Sequence, residues 1–333
     1  MGHPLITIGV TTYDRPTLLR DCIASILSQT YENIEIIIAN DYVQVPVTFE
    51  TIKIKPDPRV RIVNHERNLG AFENNHFLPR AASGEWFTWL ADDNLMHPEF
   101  LRLASETFSA FPVEAVFTDY VAATSPEGVF PKPLHCTKPR IFGGNEFFSD
   151  YTARRFRTVG NYGVFHRQIF EQFRHIRRFG TGLPVYGDTL LPLFAASRGD
   201  VAFIDQPLIF LRTHAESRSA SSVQFTDYAS AQHDFVLAFK GCCEHLESYE
   251  QVPQYLSNMV RWFAPDSWAV ICRAENSILR RIFCFVKYAA GVLLPMVDRS
   301  RRPILALGMA GMICADSARY LASVFLREIR RDS

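Results

Sequence analysis

Three short runs of almost unbroken apolar residues, each followed by a polar break and a helical stretch, constrain this chain more than any other feature. Leu5 to Val10, Ile34 to Ala39 and Trp86 to Leu90 are rich in β-branched and aromatic side chains. A strand wetted on one face alternates apolar and polar residues, whereas one buried on both faces does not. Strands of the second kind belong to parallel sheets whose crossovers are helices. Behind Pro16, a residue suited to the first position of a helix, Leu18, Leu19, Cys22, Ile23, Ile26 and Leu27 recur at helical spacing. Ala71 to Ala82 and Pro98 to Phe111 also read as helices, and Val60 to Val63 and Ala115 to Tyr120 as strands. This order predicts an α/β fold: a Rossmann-like, mostly parallel sheet with helices on both faces.

Such sheets bind ligands outside the carboxyl ends of their strands. The polar residues just past those ends are Thr11, Tyr13, Asp41 and the pair Asp92-Asp93. Topology alone therefore predicts that they gather along one edge.

Composition removes several other classes. Hydrophobic residues make up 47% of the 333, enough apolar surface to offset the entropy of ordering most of the chain. Lys+Arg and Asp+Glu balance at 35 each, which argues against a general nucleic-acid binder. Seven cysteines, an odd count without a C-x-x-C pair, point away from a disulfide framework or zinc ribbon and fit a reducing cytoplasm. Met1 to Pro4 has no basic segment leading into an apolar one, so no secretory signal is expected there.

The second half is less regular. Thr124 to Arg157 reads as loop, with several prolines. Tyr162 to Phe165 reads as a strand, and a helix is expected from Gln168. Gly187-Asp188 precedes an apolar helix, Thr189 to Ala196. Val201 to Ile204 and Leu208 to Leu211 read as two strands, the second closed by Arg212-Thr213-His214. From Phe225 the pattern is helical to the end. From Arg261 to Ser333 there are twelve Lys/Arg and six Asp/Glu, a net of 12 − 6 = +6. The apolar stretches there fall short of the ~20 residues that span a bilayer. Two expectations stay open: peripheral contact with the inner membrane face, or a helical homodimer interface.

Asp92-Asp93-Asn94 carries the chemistry. Adjacent carboxylates at a strand end are costly unless something positive neutralises them. Hard oxygen ligands suit Mg²⁺ or Mn²⁺, ions that often share their coordination with substrate phosphates. The same triplet also suits a turn or helix cap.

Its surroundings resemble a known family. Val10-Thr11-Thr12-Tyr13-Asp14-Arg15-Pro16, then Leu27-Ser28-Gln29-Thr30-Tyr31, then Glu35 through Asp41, is similar to the opening of the family 2 glycosyltransferases. Asn68-Leu69-Gly70 with Asn74-Asn75, Ala82-Ser83-Gly84-Glu85-Trp86 and Leu90-Ala91-Asp92-Asp93-Asn94 continue the likeness across about residues 5 to 120. The Asp-Asp-Asn ending most resembles the spore-coat polysaccharide type. The resemblance implies a GT-A fold, a nucleotide-sugar donor, with UDP as its nucleotide, and an inverting transfer to an acceptor hydroxyl.

Carried over by position, Thr11, Tyr13 and Asp41 would hold the base, and Asn68 is a further donor-binding candidate. Asp92 would meet the ribose or the metal, and Asp93 would be the main metal ligand. Asp188 would be the general base, although an aspartate at a helix start also serves as a cap. His214 would sit on the metal or diphosphate, and Arg212 would help neutralise the diphosphate. The expected divisions are a nucleotide-sugar half (1–120), an acceptor half (121–224) and a helical region (225–333). A glycan or lipid-linked acceptor in cell-surface polysaccharide or glycolipid assembly is the implied context.

Two other classes fit the sequence less well. An oxidoreductase is excluded because the first turn is Thr-Thr-Tyr-Asp-Arg, not G-x-G-x-x-G. A non-catalytic carbohydrate- or partner-binding protein is disfavoured by Asp93 and Asp188 occurring together. The Gln-x-x-Arg-Trp motif of processive synthases does not occur, which favours single addition.

Overall fold

The computed structural model describes residues 3–128, 130, 138–173 and 187–213, with part of 235–259. A strand β1 (Ile6–Thr12) lies between β2 (Ile34–Asn40) and β4 (Trp86–Ala91), parallel to both, and β3 (Val60–Asn64) extends the sheet beyond β2. Six of the seven residues of β1 are buried, which is why its sequence shows no alternation.

Helices cover both faces of these strands. Ile6, Ile8 and Val10 share one apolar core with Leu19, Cys22, Ile23 and Ile26 of α1 (Pro16–Leu27) and Phe100, Leu101 and Ala104 of α3 (Phe100–Ala110). Gly9 points the other way, toward Leu78 of α2 (Gly70–Ala81). A Cβ at Gly9 would lie 2.8 Å from the Phe87 ring and 3.0 Å from Leu78, so glycine permits this close helix packing.

The sheet then turns mixed. β8 (Val164–His166) runs antiparallel to both β4 and β6 (Ala115–Ala123). β6 is parallel to β9 (Val201–Arg212), which also takes β5 (Leu95–Met96) and β7 (Arg140–Phe142) antiparallel. A 3-10 turn (Gly160–Tyr162), α5 (Gln168–Phe173) and α6 (Gly187–Ala196) complete this half.

The expected α/β architecture is present, with four differences in detail. The two strands expected at 201–204 and 208–211 are one strand, β9; its pairing with β6 is irregular at Thr118 to Tyr120, where Asp119 opposes Pro207. Proline cannot donate to the ladder, so the sequence looks broken where the strand only bulges. The stretch expected as loop contains β7 and α4 (Gly144–Thr152), the latter built on buried Phe147, Phe148 and Tyr151. The strand expected at 162–165 begins two residues later, after the 3-10 turn. β5, two residues long, has no sequence period to betray it.

The described residues form two compact units. The first holds the sheet with α1, α2, α3, the 3-10 turn, α5 and α6; residues 145–155 belong with those of 235–259 to the second. In that unit Tyr255 donates to the Asn145 carbonyl oxygen at 3.1 Å, and Phe148 packs on Phe239 and Tyr255. No helix among the described residues is long and apolar enough to cross a membrane. The basic tail expected to contact a membrane or a second copy lies outside them.

Candidate active site

Thr12, the last residue of β1, is the hub of the carboxyl edge. Register places it beside Asn40, and Thr11 between Ala39 and Ala91. Its carbonyl oxygen accepts from the Asp41 N–H at 3.1 Å, and its hydroxyl donates to Asp92 Oδ2 at 2.7 Å. The residues expected to gather along this edge do gather.

Asp41 is buried, and its two carboxylate oxygens accept from Leu69 N–H at 2.6 Å and Gly70 N–H at 2.9 Å. It therefore ties down the turn at the start of α2. A carboxylate has about four acceptor directions, so capacity for a further donor remains. Asn68 Oδ1 accepts from the same Gly70 N–H at 2.8 Å and shapes that turn locally. Gly70 has φ +79°, a conformation that glycine adopts without strain. Tyr13 is 49% exposed and meets Tyr42 edge to face at 5.0 Å, leaving aromatic surface beside Asp41.

Arg15 holds the acidic pair together. Its Nη1 lies 3.4 Å from Asp92 Oδ1 and 3.2 Å from Asp93 Oδ2. A cation at the start of a helix works against the helix dipole, and here the two carboxylates offset that cost. Burial is the largest influence on Asp92 and pushes its carboxyl up to about 6, against the opposing pull of the Thr12 hydroxyl and Arg15. Asp14, between Tyr13 and Arg15, has φ +53°, the left-handed region that aspartate tolerates better than most residues.

β5 brings in the far strand. Because Leu95 pairs antiparallel with Phe210, Asn94 falls opposite Leu211, next to Arg212. Asn94 Oδ1 accepts from the Arg212 backbone N–H at 3.0 Å, and Arg212 Nε donates to the Asp93 carbonyl oxygen at 3.2 Å. Among the described residues Arg212 Nη2 is buried without a hydrogen-bond partner, 3.7 Å from Asp21 Oδ2. Asp188 stands exposed in the first turn of α6, and His214 lies outside the described residues.

The donor set fits a divalent cation. Two oxygen-bearing side chains already converge on one positive group, Arg15, and hard oxygen donors suit Mg²⁺ or Mn²⁺. Among the described residues no group of three or more His, Cys, Asp or Glu is placed to hold a metal ion. An ion held by these two carboxylates would take further coordination from water and substrate oxygens, as Mg²⁺ sites commonly do.

Sequence reading missed Thr12, Arg15 and Tyr162, whose phenol oxygen accepts from Asn94 Nδ2 at 2.8 Å. Arg15 gave a signal: a basic residue at a helix start beside a predicted acidic edge. Tyr162 gave none.

The parallel strands β1–β4, with a carboxylate-lined edge, are continued by a mixed half. The family model described as Glycosyl transferase family 2 matches residues 7–174, just over half of the chain, and the chain belongs to that family. A Rickettsia felis glycosyltransferase is 32% identical over 95 residues, covering 28% of this chain and 16% of the relative. EpsH of Bacillus subtilis, also named a glycosyltransferase, is 29% identical over 124 residues, covering 37% and 35%. The chain thus spans only a minor part of these relatives' length. Among solved structures, S. aureus TarS 1-349 in complex with UDP-GlcNAc superposes with TM-score 0.62 at 13% identity over 96% of this chain and 92% of that one. The likeness places the fold with the GT-A enzymes.

Proposed function

We propose that this protein is an inverting, divalent-metal-dependent glycosyltransferase that moves a sugar from a UDP-sugar to an acceptor hydroxyl. The observation that carries the reading is the convergence of Asp41, Thr12, Asp92, Asp93 and Arg15 on one strand edge of a family 2 fold. The S. aureus structure, which contains UDP-GlcNAc on the same fold, supports the choice of nucleotide.

Asp41 would accept from the base imide while Tyr13 offers a stacking face and Thr11 borders the base. Asp93, with Asp92 behind it, would hold the cation, and Asn68 would keep the donor-side turn in shape. The ion would supply Lewis-acid stabilisation of the diphosphate leaving group. Arg212 offers that group a further cation, and His214 would add a ligand from beyond the described residues. Asp188 would take the proton from the acceptor hydroxyl as its oxygen bonds to the anomeric carbon. The bond from that carbon to the diphosphate breaks on the opposite side, so configuration inverts.

Residues 1–120 would bind the donor and 121–224 the acceptor. Residues 225–333 would bring the enzyme to a lipid-linked or glycan acceptor at the inner membrane face, or pair two copies. Polysaccharide or glycolipid assembly would be the setting.

The test is a panel of nucleotide-sugars screened for thermal stabilisation with Mn²⁺ present, because a bound donor must stabilise the folded chain by mass action. A UDP-sugar should raise the melting temperature with Mn²⁺ and lose most of that effect with chelator. A panel in which no nucleotide-sugar stabilises the chain would contradict the proposal.

A further inference from the structure

The 3-10 turn Gly160–Tyr162 lies against the first turn of α6 at one end and against the acidic strand end at the other. A Cβ built at Gly160 would lie 1.6 Å from the carbonyl oxygen of Asp188 and 2.8 Å from Cγ of Pro192. Both neighbours are stiff, one backbone and one a proline ring. Glycine is therefore required for the turn to reach the start of α6. Two residues on, the Tyr162 phenol oxygen accepts from Asn94 Nδ2 at 2.8 Å. Asn94 in turn accepts from the Arg212 backbone N–H at 3.0 Å, and Arg212 Nε reaches the Asp93 carbonyl at 3.2 Å. Gly163 extends the bracket: a Cβ there would lie 2.5 Å from the Phe117 ring. Burial, and after it the charge of Asp93, push the Tyr162 phenol up, so it stays protonated and keeps its place in this chain of bonds.

We infer that Gly160 and Tyr162 are positioning residues: the short turn they bound sets the start of α6, and with it Asp188, against the Asp92-Asp93-Asn94 strand end. The inference rests on the reading of Asp188 as the base. It names what fixes the span in which acceptor oxygen and anomeric carbon must meet. That span matters because a misplacement of about 1 Å can cost ~10²-fold in rate.

The two ends of the bracket predict two different defects in the full-length protein. Gly160→Ala must push the start of α6 away while leaving Thr12, Asp41 and Arg15 untouched. Turnover, read as UDP release from the nucleotide-sugar found in the screen, should fall ~10- to 100-fold, with UDP affinity in Mn²⁺ within about two-fold of wild type. Tyr162→Phe removes one oxygen and keeps the ring. It frees Asn94, loosens Arg212, and should weaken UDP binding in Mn²⁺ by ~3- to 10-fold, the worth of a hydrogen bond. If both variants melt lower but keep wild-type UDP affinity and turnover in the folded fraction, the turn is only structural and the inference is overturned. Asp188→Asn, measured alongside, separates the levels. Should it retain turnover, the assignment of the base falls, and the bracket is judged by Tyr162→Phe alone. The same holds if Gly160→Ala does not fold. Weakened UDP binding in Tyr162→Phe then upholds the bracket, and affinity within about two-fold of wild type refutes it.

Discussion

The two halves of the sheet hold their polar residues in different ways. On the β1–β4 side, Asp41 and Asp92 are buried and each is fixed by hydrogen bonds of 2.6 to 2.9 Å from neighbouring strands or turns. On the β6–β9 side, Asp188 is exposed at a helix start, and its backbone carbonyl packs against Gly160. A rigid, desolvated edge suits a ligand whose chemistry does not vary, such as a nucleotide diphosphate. A carboxylate presented on a helix tip suits acceptors that differ between enzymes of one fold. The contrast turns the proposed reaction into separable measurements.

The largest expected effect falls on the exposed side. Asp188→Asn keeps size and polarity but cannot accept the proton, so kcat should drop ~10²- to 10⁴-fold while UDP affinity stays near wild type. Steady-state turnover beside a UDP titration checks it; a loss in both would erase the proposed division between halves.

Stability should divide the other way. Ile8 is fully buried in the common core, so Ile8→Ala should cost about 2–5 kcal/mol. Ile141, in the short strand β7, is only partly buried, and Ile141→Ala should cost less. Denaturant titrations of both variants give the ranking, and a larger loss at Ile141 would reverse it.

A subtler consequence follows from the buried carboxyl of Asp92. Its value of about 6 in the folded chain lies above its ordinary 3.8, so between these pH values the folded state holds a proton that the unfolded state releases. The stabilising contribution is therefore full below about pH 4 and is lost as pH rises through about 6. The size is about 3 kcal/mol, at 1.36 kcal/mol per pH unit over roughly two units. Asp92→Asn removes this dependence. The wild-type minus variant difference in stability, from chelator-treated melts between pH 4 and 7, should fall, toward the variant's favour, as pH rises; a difference that is flat with pH would show that Asp92 titrates normally.

How much of this was legible depended on sequence separation. β1, β2 and β4 declared themselves because burial on both faces writes an unbroken apolar run. Asp92 and Asp93 were legible because they are neighbours in the chain. The contacts that make the pair usable are not local: Thr12 lies 80 residues from Asp92, Arg15 lies 78 from Asp93, and Arg212 lies 118 from Asn94. No periodicity encodes those pairings; only the sheet register creates them. The aromatic residues of α4 did carry a helical signal, since Phe147, Phe148 and Tyr151 share a face. Prolines and polar residues on either side of it outweighed that signal. Pro207 had the opposite effect, dividing on paper a strand that stays continuous through a bulge.

The central claim is that the strand edge binds a nucleotide diphosphate through a cation held by Asp93. Calorimetric titration of UDP into the full-length chain, with Mn²⁺ and with chelator, tests it when repeated on Asp93→Ala. The account predicts metal-dependent binding in the wild type and none in the variant, with both chains folded. Metal-dependent UDP binding of unchanged affinity in Asp93→Ala would contradict it.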